Sequence, residues 1–150
     1  MNSIYKSEKG DESNYWNWNG FRIFWSVRGK KNQHPIILLH GFGASSKHWR
    51  SNSYYFAKKG YSVYSIDLIG FGNSAQPGIR EIGKLDNGVW CNQVSDFIKQ
   101  VIRPKTSNKI ILIGNSLGSL VALTCAVYLK NEISSVIASP LPDPIVTVSY

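Results

Sequence analysis

The segment Gly114-Asn115-Ser116-Leu117-Gly118 sets a serine between two glycines, where a strand and a helix are expected to meet. An apolar, β-branched run at residues 110–113 precedes it, and a helix-like run at 117–129 follows. A sharp turn at this junction raises the serine oxygen above the sheet edge. Glycines suit such a turn, because backbone approaches backbone where a side chain would clash. The pattern therefore predicts Ser116 as a nucleophile, with Gly114 and Gly118 supporting its turn.

Acyl transfer by a serine also needs hydrogen-bond donors for the negative charge that develops on the substrate oxygen. We expect two backbone N–H groups in this role. One belongs to Leu117, directly after the serine, and the other to Phe42, in the loop after the apolar run at residues 35–39. His40 and Gly41 would brace that loop. A second interpretation stays open, in which Ser116 only caps the helix that follows it.

A general base for the serine is not evident among the histidines. The chain contains His34, His40 and His48, and no histidine follows residue 48. His40 ends a predicted strand ahead of a glycine, a position that favours bracing the loop over acting as a base. His34 precedes a proline at the far end of the same strand. His48 stands at the start of the following helix and could lie near the mouth of the site, but nothing in the sequence places it beside Ser116.

The sequence offers no pattern for a cofactor or a metal ion. Gly70-Phe71-Gly72-Asn73-Ser74-Ala75 matches a loose dinucleotide fingerprint after a predicted strand. Pro77 follows closely, however, and a helix does not run through it, so the phosphate seat of a helix N-terminus is missing. The chain also lacks a spaced set of Cys and His residues. We therefore predict chemistry without a cofactor and without a metal.

Composition predicts one modest globular domain. The chain has 150 residues, of which 43% are hydrophobic and 17% charged. Its net charge of +8 raises the question of a nucleic-acid partner. The basic residues look scattered, with Lys30-Lys31 and Lys58-Lys59 at expected turns and helix ends, and no predicted helix carries a basic stripe. We therefore predict no nucleic-acid partner.

The sequence also bears on location. No apolar run approaches the roughly 18–20 residues that cross a bilayer, and residues 1–14 lack the apolar core of a signal peptide. Cys91 and Cys125 lie on separate helix-like segments and are predicted to be buried, reduced thiols. These features predict a cytoplasmic protein without a transmembrane segment.

Alternating strand and helix patterns predict the fold class. Asn19-Gly20 separates two aromatic runs and signals a β-hairpin, in which Trp16, Trp18 and Trp25 would pack in the sheet. Further strands are predicted at 35–39, 61–66, 110–113 and 134–138, and helices at 49–59, 90–102 and 117–129. The expected α/β architecture is an N-terminal β-hairpin followed by a mostly parallel sheet with flanking helices. Residues 1–13 are predicted to be a flexible polar tail.

Three motifs carry a resemblance to a known family. They are His40-Gly41-Phe42-Gly43-Ala44-Ser45, Asp67-Leu68-Ile69-Gly70-Phe71-Gly72-Asn73-Ser74 and the Ser116 pentapeptide. In this order and spacing the chain resembles the N-terminal half of the α/β-hydrolase fold superfamily. Residues 85–90 and 139–144 are similar to cyanobacterial and plastid pheophytinase-like serine hydrolases.

The resemblance implies a Ser–acid–His triad in that chain order. The acid usually follows the seventh strand, the histidine follows the eighth, and a cap is often inserted after the sixth. Residues 14–150 would then form a partial domain, truncated after about the sixth strand, with the cap, the last strands and the histidine loop absent. Asp143 lies where some relatives place the acid, although its proline-bracketed loop also suits a plain turn residue.

The function implied by the resemblance is that of a serine esterase acting on a small-molecule carboxylic ester or a related acyl substrate. Without the acid and the histidine, the chain is expected to be inactive or weak. Two alternatives stay open: a non-catalytic binding or structural protein, and a fragment completed by a C-terminal complement from a second polypeptide. For the truncated chain alone we expect an unpaired sheet edge at residues 134–138, which favours aggregation, whereas a binding module is expected to be monomeric.

Overall fold

The structure, a computed structural model, describes residues 11–30 and 33–140. Its six strands are β1 (Asp11–Trp18), β2 (Phe21–Arg28), β3 (His34–Leu39), β4 (Tyr61–Ile66), β5 (Ile110–Gly114) and β6 (Ile133–Ala138). Its four α-helices are α1 (Arg50–Lys58), α2 (Ile79–Ile82), α3 (Asn87–Phe97) and α4 (Leu117–Tyr128). A 3₁₀ turn, Ser46–Trp49, leads into α1, and a π-helical turn, Ile98–Ile102, extends α3.

One mixed sheet contains all six strands, in the order β1-β2-β4-β3-β5-β6. β1 and β2 form the predicted antiparallel hairpin, and Asn19 and Gly20 at its tip both have positive φ, at 51° and 87°. β2 then pairs antiparallel with β4, whereas β3, β4, β5 and β6 pair in parallel. The predicted α/β class and the mostly parallel sheet are confirmed.

Helices cover the sheet on both faces. α3 and α4 pack over one face around a core that includes Phe97 and the buried rings of Trp18 and Trp25, so the predicted sheet packing of these tryptophans is confirmed. On the other face, α1 and the preceding 3₁₀ turn cover a smaller cluster around Trp49. β3 is buried along nearly its whole length, as its continuous apolar run requires of a strand covered on both faces.

Two departures from the sequence-based expectation have an identifiable local cause: the start of β1 and the presence of α2. β1 begins at Asp11, inside the predicted tail, because its backbone pairs with β2 as far as Arg28. A short helix, α2, forms in a segment rich in Gly and Pro that was expected to be a loop. The Glu81 carboxylate stabilises this helix by accepting a 2.7 Å hydrogen bond from the Gly78 N–H.

β6 forms one edge of the described sheet, as predicted. Its Ile137 side chain is 51% exposed, and the neighbouring helix α4 also exposes Leu120 and Leu123. Within residues 11–30 and 33–140, no helix is long and apolar enough to cross a membrane.

Both cysteines are buried and unbonded, which agrees with the predicted reduced thiols. Cys91 on α3 and Cys125 on α4 face one another, with their sulfur atoms 3.3 Å apart. Burial and the neighbouring thiol raise the pKa of Cys125, so its thiolate is disfavoured.

Candidate active site

Ser116 occupies a strained turn between β5 and α4. It is the N-cap residue of α4 and has φ 52° and ψ −116°. Among the non-glycine residues in the described parts of the chain, only Asn19 shares a positive φ. Such a conformation costs about 1–3 kcal/mol and persists only where the surrounding structure enforces it.

The two glycines of the pentapeptide allow the turn through close backbone approach. A Cβ added at Gly114 would overlap the Gly118 carbonyl oxygen, and a Cβ added at Gly118 would overlap the Leu39 carbonyl oxygen. The start of α4 therefore sits directly against the ends of β5 and β3. Neither glycine can take a side chain unless backbone moves.

Hydrogen bonds from both sides hold the turn in place. The Ser116 N–H donates to the Pro140 carbonyl oxygen at 2.9 Å, and the Asn115 N–H donates to the Leu39 carbonyl oxygen at 3.1 Å. The Asn115 side-chain amide donates to the Ser139 carbonyl oxygen at 2.8 Å. The turn is therefore held by hydrogen bonds both to the end of β3 and to the segment that follows β6.

Ser119 also supports the turn, although the sequence alone does not single it out. Its buried hydroxyl donates to the Gly114 carbonyl oxygen at 2.8 Å and accepts from the Ser139 N–H at 3.0 Å. The sequence feature that could have indicated this role is a serine in the first turn of a mostly apolar helix.

The loop after β3 lies beside Ser116, as its position in the sheet requires. A Cβ added at Gly41 would stand 3.4 Å from the Ser116 Cβ. The next residue, Phe42, exposes 62% of its surface, and its ring meets the Phe71 ring edge-on with centroids 5.2 Å apart. Leu117 opens the first turn of α4, where backbone N–H groups have no partner within the helix.

His40 is buried and uses both ring nitrogens structurally. Its Nε2 accepts a 3.0 Å hydrogen bond from the Leu68 N–H, so its Nδ1 carries the proton and donates to the Gly41 carbonyl oxygen at 2.8 Å. Burial lowers the His40 pKa, against the opposing effects of the Gly41 hydrogen bond and the Asp67 carboxylate. The neutral ring joins the loops that follow β3 and β4.

Asp67 joins the same two loops through a buried carboxylate. Its Oδ1 accepts from the Ser46 N–H at 2.6 Å, and its Oδ2 accepts from the Asn73 N–H at 2.7 Å. A Cβ at Gly72 would overlap this carboxylate, so glycine is needed there. The sequence named Asp67 only as part of a family motif; a carboxylate ending a buried strand ahead of Gly-x-Gly was the signal for this role.

The structure shows no contact between Ser116 and the other candidate groups among the described residues. His34 begins β3 and so stands at the opposite end of that strand from the Gly41 loop. The His48 ring contacts Trp49, with centroids 5.0 Å apart, on the α1 side of the sheet. Asp143 lies outside the described residues. Across the described ranges, no three His, Cys, Asp or Glu side chains are grouped to hold a metal ion.

The chain belongs to the alpha/beta hydrolase fold family, whose model matches residues 34–144. Mouse epoxide hydrolase 4 is 32% identical over 132 residues, which are 88% of this chain and 35% of the relative. Putative esterase/lipase 2 of Mycoplasma pneumoniae is 28% identical over 130 residues, which are 86% of this chain and 46% of the relative. The chain thus spans less than half the length of these relatives.

Solved structures show the same fold. The thioesterase domain from the curacin biosynthetic pathway superimposes with a TM-score of 0.80 at 22% identity, over 91% of this chain and 48% of that domain. An epoxide hydrolase from Vigna radiata gives a TM-score of 0.77 at 18% identity, over 89% and 41%. These identities are too low to carry a substrate across.

Proposed function

We propose that this chain carries the nucleophile and the oxyanion donors of a serine hydrolase that acts on carboxylic esters or related acyl substrates. The observation that carries the proposal is the strained conformation of Ser116 at the β5–α4 junction. The Gly41 loop beside it adds the second element that acyl transfer needs. A serine that only capped α4 would accept from the helix through its hydroxyl, and Ser116 makes no such side-chain cap.

In the proposed reaction, a base takes the hydroxyl proton of Ser116 as its Oγ bonds to the substrate carbonyl carbon, and the base later passes that proton to the departing alcohol. The carbonyl oxygen gains the negative charge and accepts hydrogen bonds from the Phe42 and Leu117 N–H groups. Collapse of this intermediate breaks the bond to the alcohol, which leaves with a proton, and water then hydrolyses the acyl-enzyme. Each oxyanion donor contributes about a hundredfold to a thousandfold in rate.

The nucleophile's identity supports acyl transfer over epoxide opening. Opening an epoxide through a covalent ester requires a carboxylate nucleophile, and this chain has Ser116 instead. Some relatives named above are epoxide hydrolases, whereas others are called esterase and thioesterase. The serine favours the second group. The finer similarity to pheophytinase-like enzymes stays a prediction.

We infer that the base and the acid come from outside the described residues. Both ring nitrogens of His40 are engaged, and His34 and His48 belong to other parts of the fold. Residues 14–150 would then be a partial domain without the cap, the last strands and the histidine loop, with Asp143 as one candidate acid. Loss of triad members costs about 10⁴ to 10⁶ in rate, so the 150-residue chain should be inactive or weak.

We propose two alternative functions for this chain. The exposed apolar edge at β6 suits a complementing second polypeptide that would supply strands and a histidine. Alternatively, the chain is a non-catalytic binding or structural protein that retains the scaffold. In each case we propose a cytoplasmic location, which the buried, unbonded cysteines support.

A boronic acid tests the proposed oxyanion site without needing turnover. Phenylboronic acid forms a tetrahedral adduct with a serine oxygen and presents its own oxygen to the oxyanion donors. We expect millimolar phenylboronic acid to shift the amide NMR signals of Phe42 and Leu117, and we expect no shift in Ser116→Ala. Ser51→Ala removes an exposed hydroxyl from α1; it is the matched control and should still respond. Equal shifts in wild type and Ser116→Ala would contradict the proposal.

A further inference from the structure

The whole excess of positive charge lies in one acid-free stretch. Between Glu12 and Asp67 the sequence has no Asp or Glu, while it holds eight of the 17 Lys and Arg residues. The remaining nine basic residues are balanced by the nine acidic ones, so this stretch accounts for the net charge of +8. Segregation of this kind is not expected of a surface that only needs to be soluble.

Folding places five of these charges on one face of the molecule, those of Arg28, Lys47, Arg50, Lys58 and Lys59. Lys47 and Arg50 border a groove together with Phe24 and Ser26 of β2, on the side of the sheet that α1 covers. The Arg28 guanidinium carbon lies 5.4 Å from the Tyr54 ring centre on the same side. Glu12 alternates with Ser13 along β1 and therefore faces the opposite side. The sequence predicted that no helix carries a basic stripe. In the structure, basic residues line up along one side of α1 and the turn before it.

The 3₁₀ turn makes this stripe hard to see in the sequence. A helix starting at Trp49 omits Lys47, but the turn from Ser46 continues directly into α1. Lys47, Arg50, Tyr54 and Lys58 then follow at spacings of three and four residues and share one side of the helix. We call this exposed row, together with Arg28, Tyr55 and Lys59, the basic face.

Two tyrosines give the basic face an interfacial character. Tyr54 is 44% exposed and Tyr55 is 58% exposed. The Lys58 ammonium lies 4.4 Å from the Tyr54 ring centre, and the Lys59 ammonium lies 5.6 Å from that of Tyr55. Each ring thus has a cation near one face, which leaves less of the ring for a stacked nucleic-acid base. An exposed tyrosine combines an apolar ring with a polar hydroxyl, which suits an interface where apolar and wet regions meet.

A groove at the end of the basic face suits a single phosphoryl group. It encloses about 200 Å³, and its lining includes Lys47 and Arg50. Five serines add hydroxyl groups to the same lining: Ser13, Ser26, Ser46, Ser53 and Ser65. The Asp67 carboxylate, which accepts a hydrogen bond from the N–H of the groove residue Ser46, is buried and also accepts from the Asn73 N–H. A compact groove of this size accommodates one headgroup phosphate and not a continuous nucleic-acid backbone.

We propose that the basic face docks on an anionic phospholipid bilayer, with a lipid phosphate seated in the groove between Lys47 and Arg50. The occupant follows from charge complementarity, from the exposed tyrosines and from the size of the groove. Each Lys or Arg near such a surface contributes about fivefold to the partition coefficient at moderate salt. The proposal concerns a face separate from Ser116 and stands independently of the proposed hydrolase chemistry.

Vesicle flotation tests this docking directly, because aggregated protein sinks whereas lipid-bound protein floats. We expect the chain to float with phosphatidylcholine vesicles that contain about 30% phosphatidylserine, and to stay behind with pure phosphatidylcholine. The double variants Lys47→Gln/Arg50→Gln and Lys58→Gln/Lys59→Gln should each lower the partition coefficient about 30-fold. Raising the salt should release the wild-type protein.

The matched control is Lys84→Gln/Lys109→Gln, which removes the same charge from exposed positions outside the basic face. It should float like wild type, and circular dichroism should show all variants folded. An equal loss in the control would overturn the proposal, as would equal flotation with neutral vesicles. Full displacement from the vesicles by a single-stranded oligonucleotide at equal phosphate concentration would assign the face to nucleic acid instead.

Discussion

At the scale of single residues, Gly118 shows how closely sequence and conformation are linked at the candidate site. The pentapeptide alone predicts a tight turn, and the structure adds the reason for each glycine. Gly118 is needed because the end of β3 lies against it, and that contact comes from a strand almost eighty residues earlier in the chain. No local pattern contains such a contact, so the sequence could indicate the turn but not its supports.

The glycine contact predicts a large cost for Gly118→Ala. The new Cβ would overlap the Leu39 carbonyl oxygen, so backbone must move at the β3–α4 contact. We expect a loss of at least about 2 kcal/mol in the free energy of unfolding, measured by urea denaturation. Gly88→Ala is the matched control, because Gly88 is also helical but meets only the Asp86 side chain, at 3.2 Å. A similar cost for both substitutions would contradict this account of the turn.

The histidine contacts predict a pH dependence of stability. Burial lowers the His40 pKa in the folded chain below its usual value of about 6.5, so the folded state binds the proton less well than the unfolded state. This stabilisation is therefore complete above about pH 6.5 and is lost as the pH falls below it. We expect the unfolding free energy to fall between about pH 7.5 and about pH 5.5, measured by urea denaturation at each pH.

Two variants separate His40 from the other titrating groups. His40→Gln should be less stable at neutral pH but should lose most of the pH dependence in this range. His34→Gln removes an exposed histidine at the far end of β3, which is not among the groups that shift the His40 pKa, and should keep the wild-type slope. If both variants retain the same slope, the pH dependence comes from another group.

At the scale of elements, periodicity predicted the strands well because each carries its own signal. β4 matches its predicted span of 61–66, and β3 and β5 differ from theirs by one residue. The helix α2 and the start of β1 were not predicted, and each depends on a particular contact. α2 depends on one Glu81 side-chain contact, and β1 extends to Asp11 through pairing with Arg28, a partner the sequence does not reveal. A strand that is buried on both faces carries a continuous apolar run that the sequence shows directly. An element that depends on one contact with a distant residue carries no such pattern.

The β6 edge predicts a substitution that improves solution behaviour. Ile137 is half exposed on an edge strand that has no charged residue. Ile137→Lys should reduce self-association at least about fivefold by light scattering, since charge on an edge strand opposes strand pairing. It should leave the unfolding free energy nearly unchanged. Ser51→Lys adds the same charge on the exposed side of α1 and should leave self-association as it is.

At the scale of the whole molecule, the described residues supply the proposed nucleophile and the loop beside it, but not a base for the serine. The described fold assembles a strained serine, a neighbouring loop with Phe42 and the bracing side chains His40 and Asp67. The family, the fold class and the position of Ser116 could all be predicted from three motifs. The source of the base could not be predicted, because both ring nitrogens of His40 are engaged and the chain spans less than half the length of the relatives that it matches.

Covalent labelling of Ser116 tests the central claim most directly. We predict that a fluorophosphonate probe modifies the purified 150-residue chain very slowly, because the serine lacks a base. Added imidazole should stand in for the missing histidine and raise labelling at least about tenfold. Mass spectrometry should locate the label on Ser116, and Ser116→Ala should remain unlabelled. Rapid labelling without imidazole would contradict the missing base, and labelling that persists in Ser116→Ala would contradict the nucleophile itself.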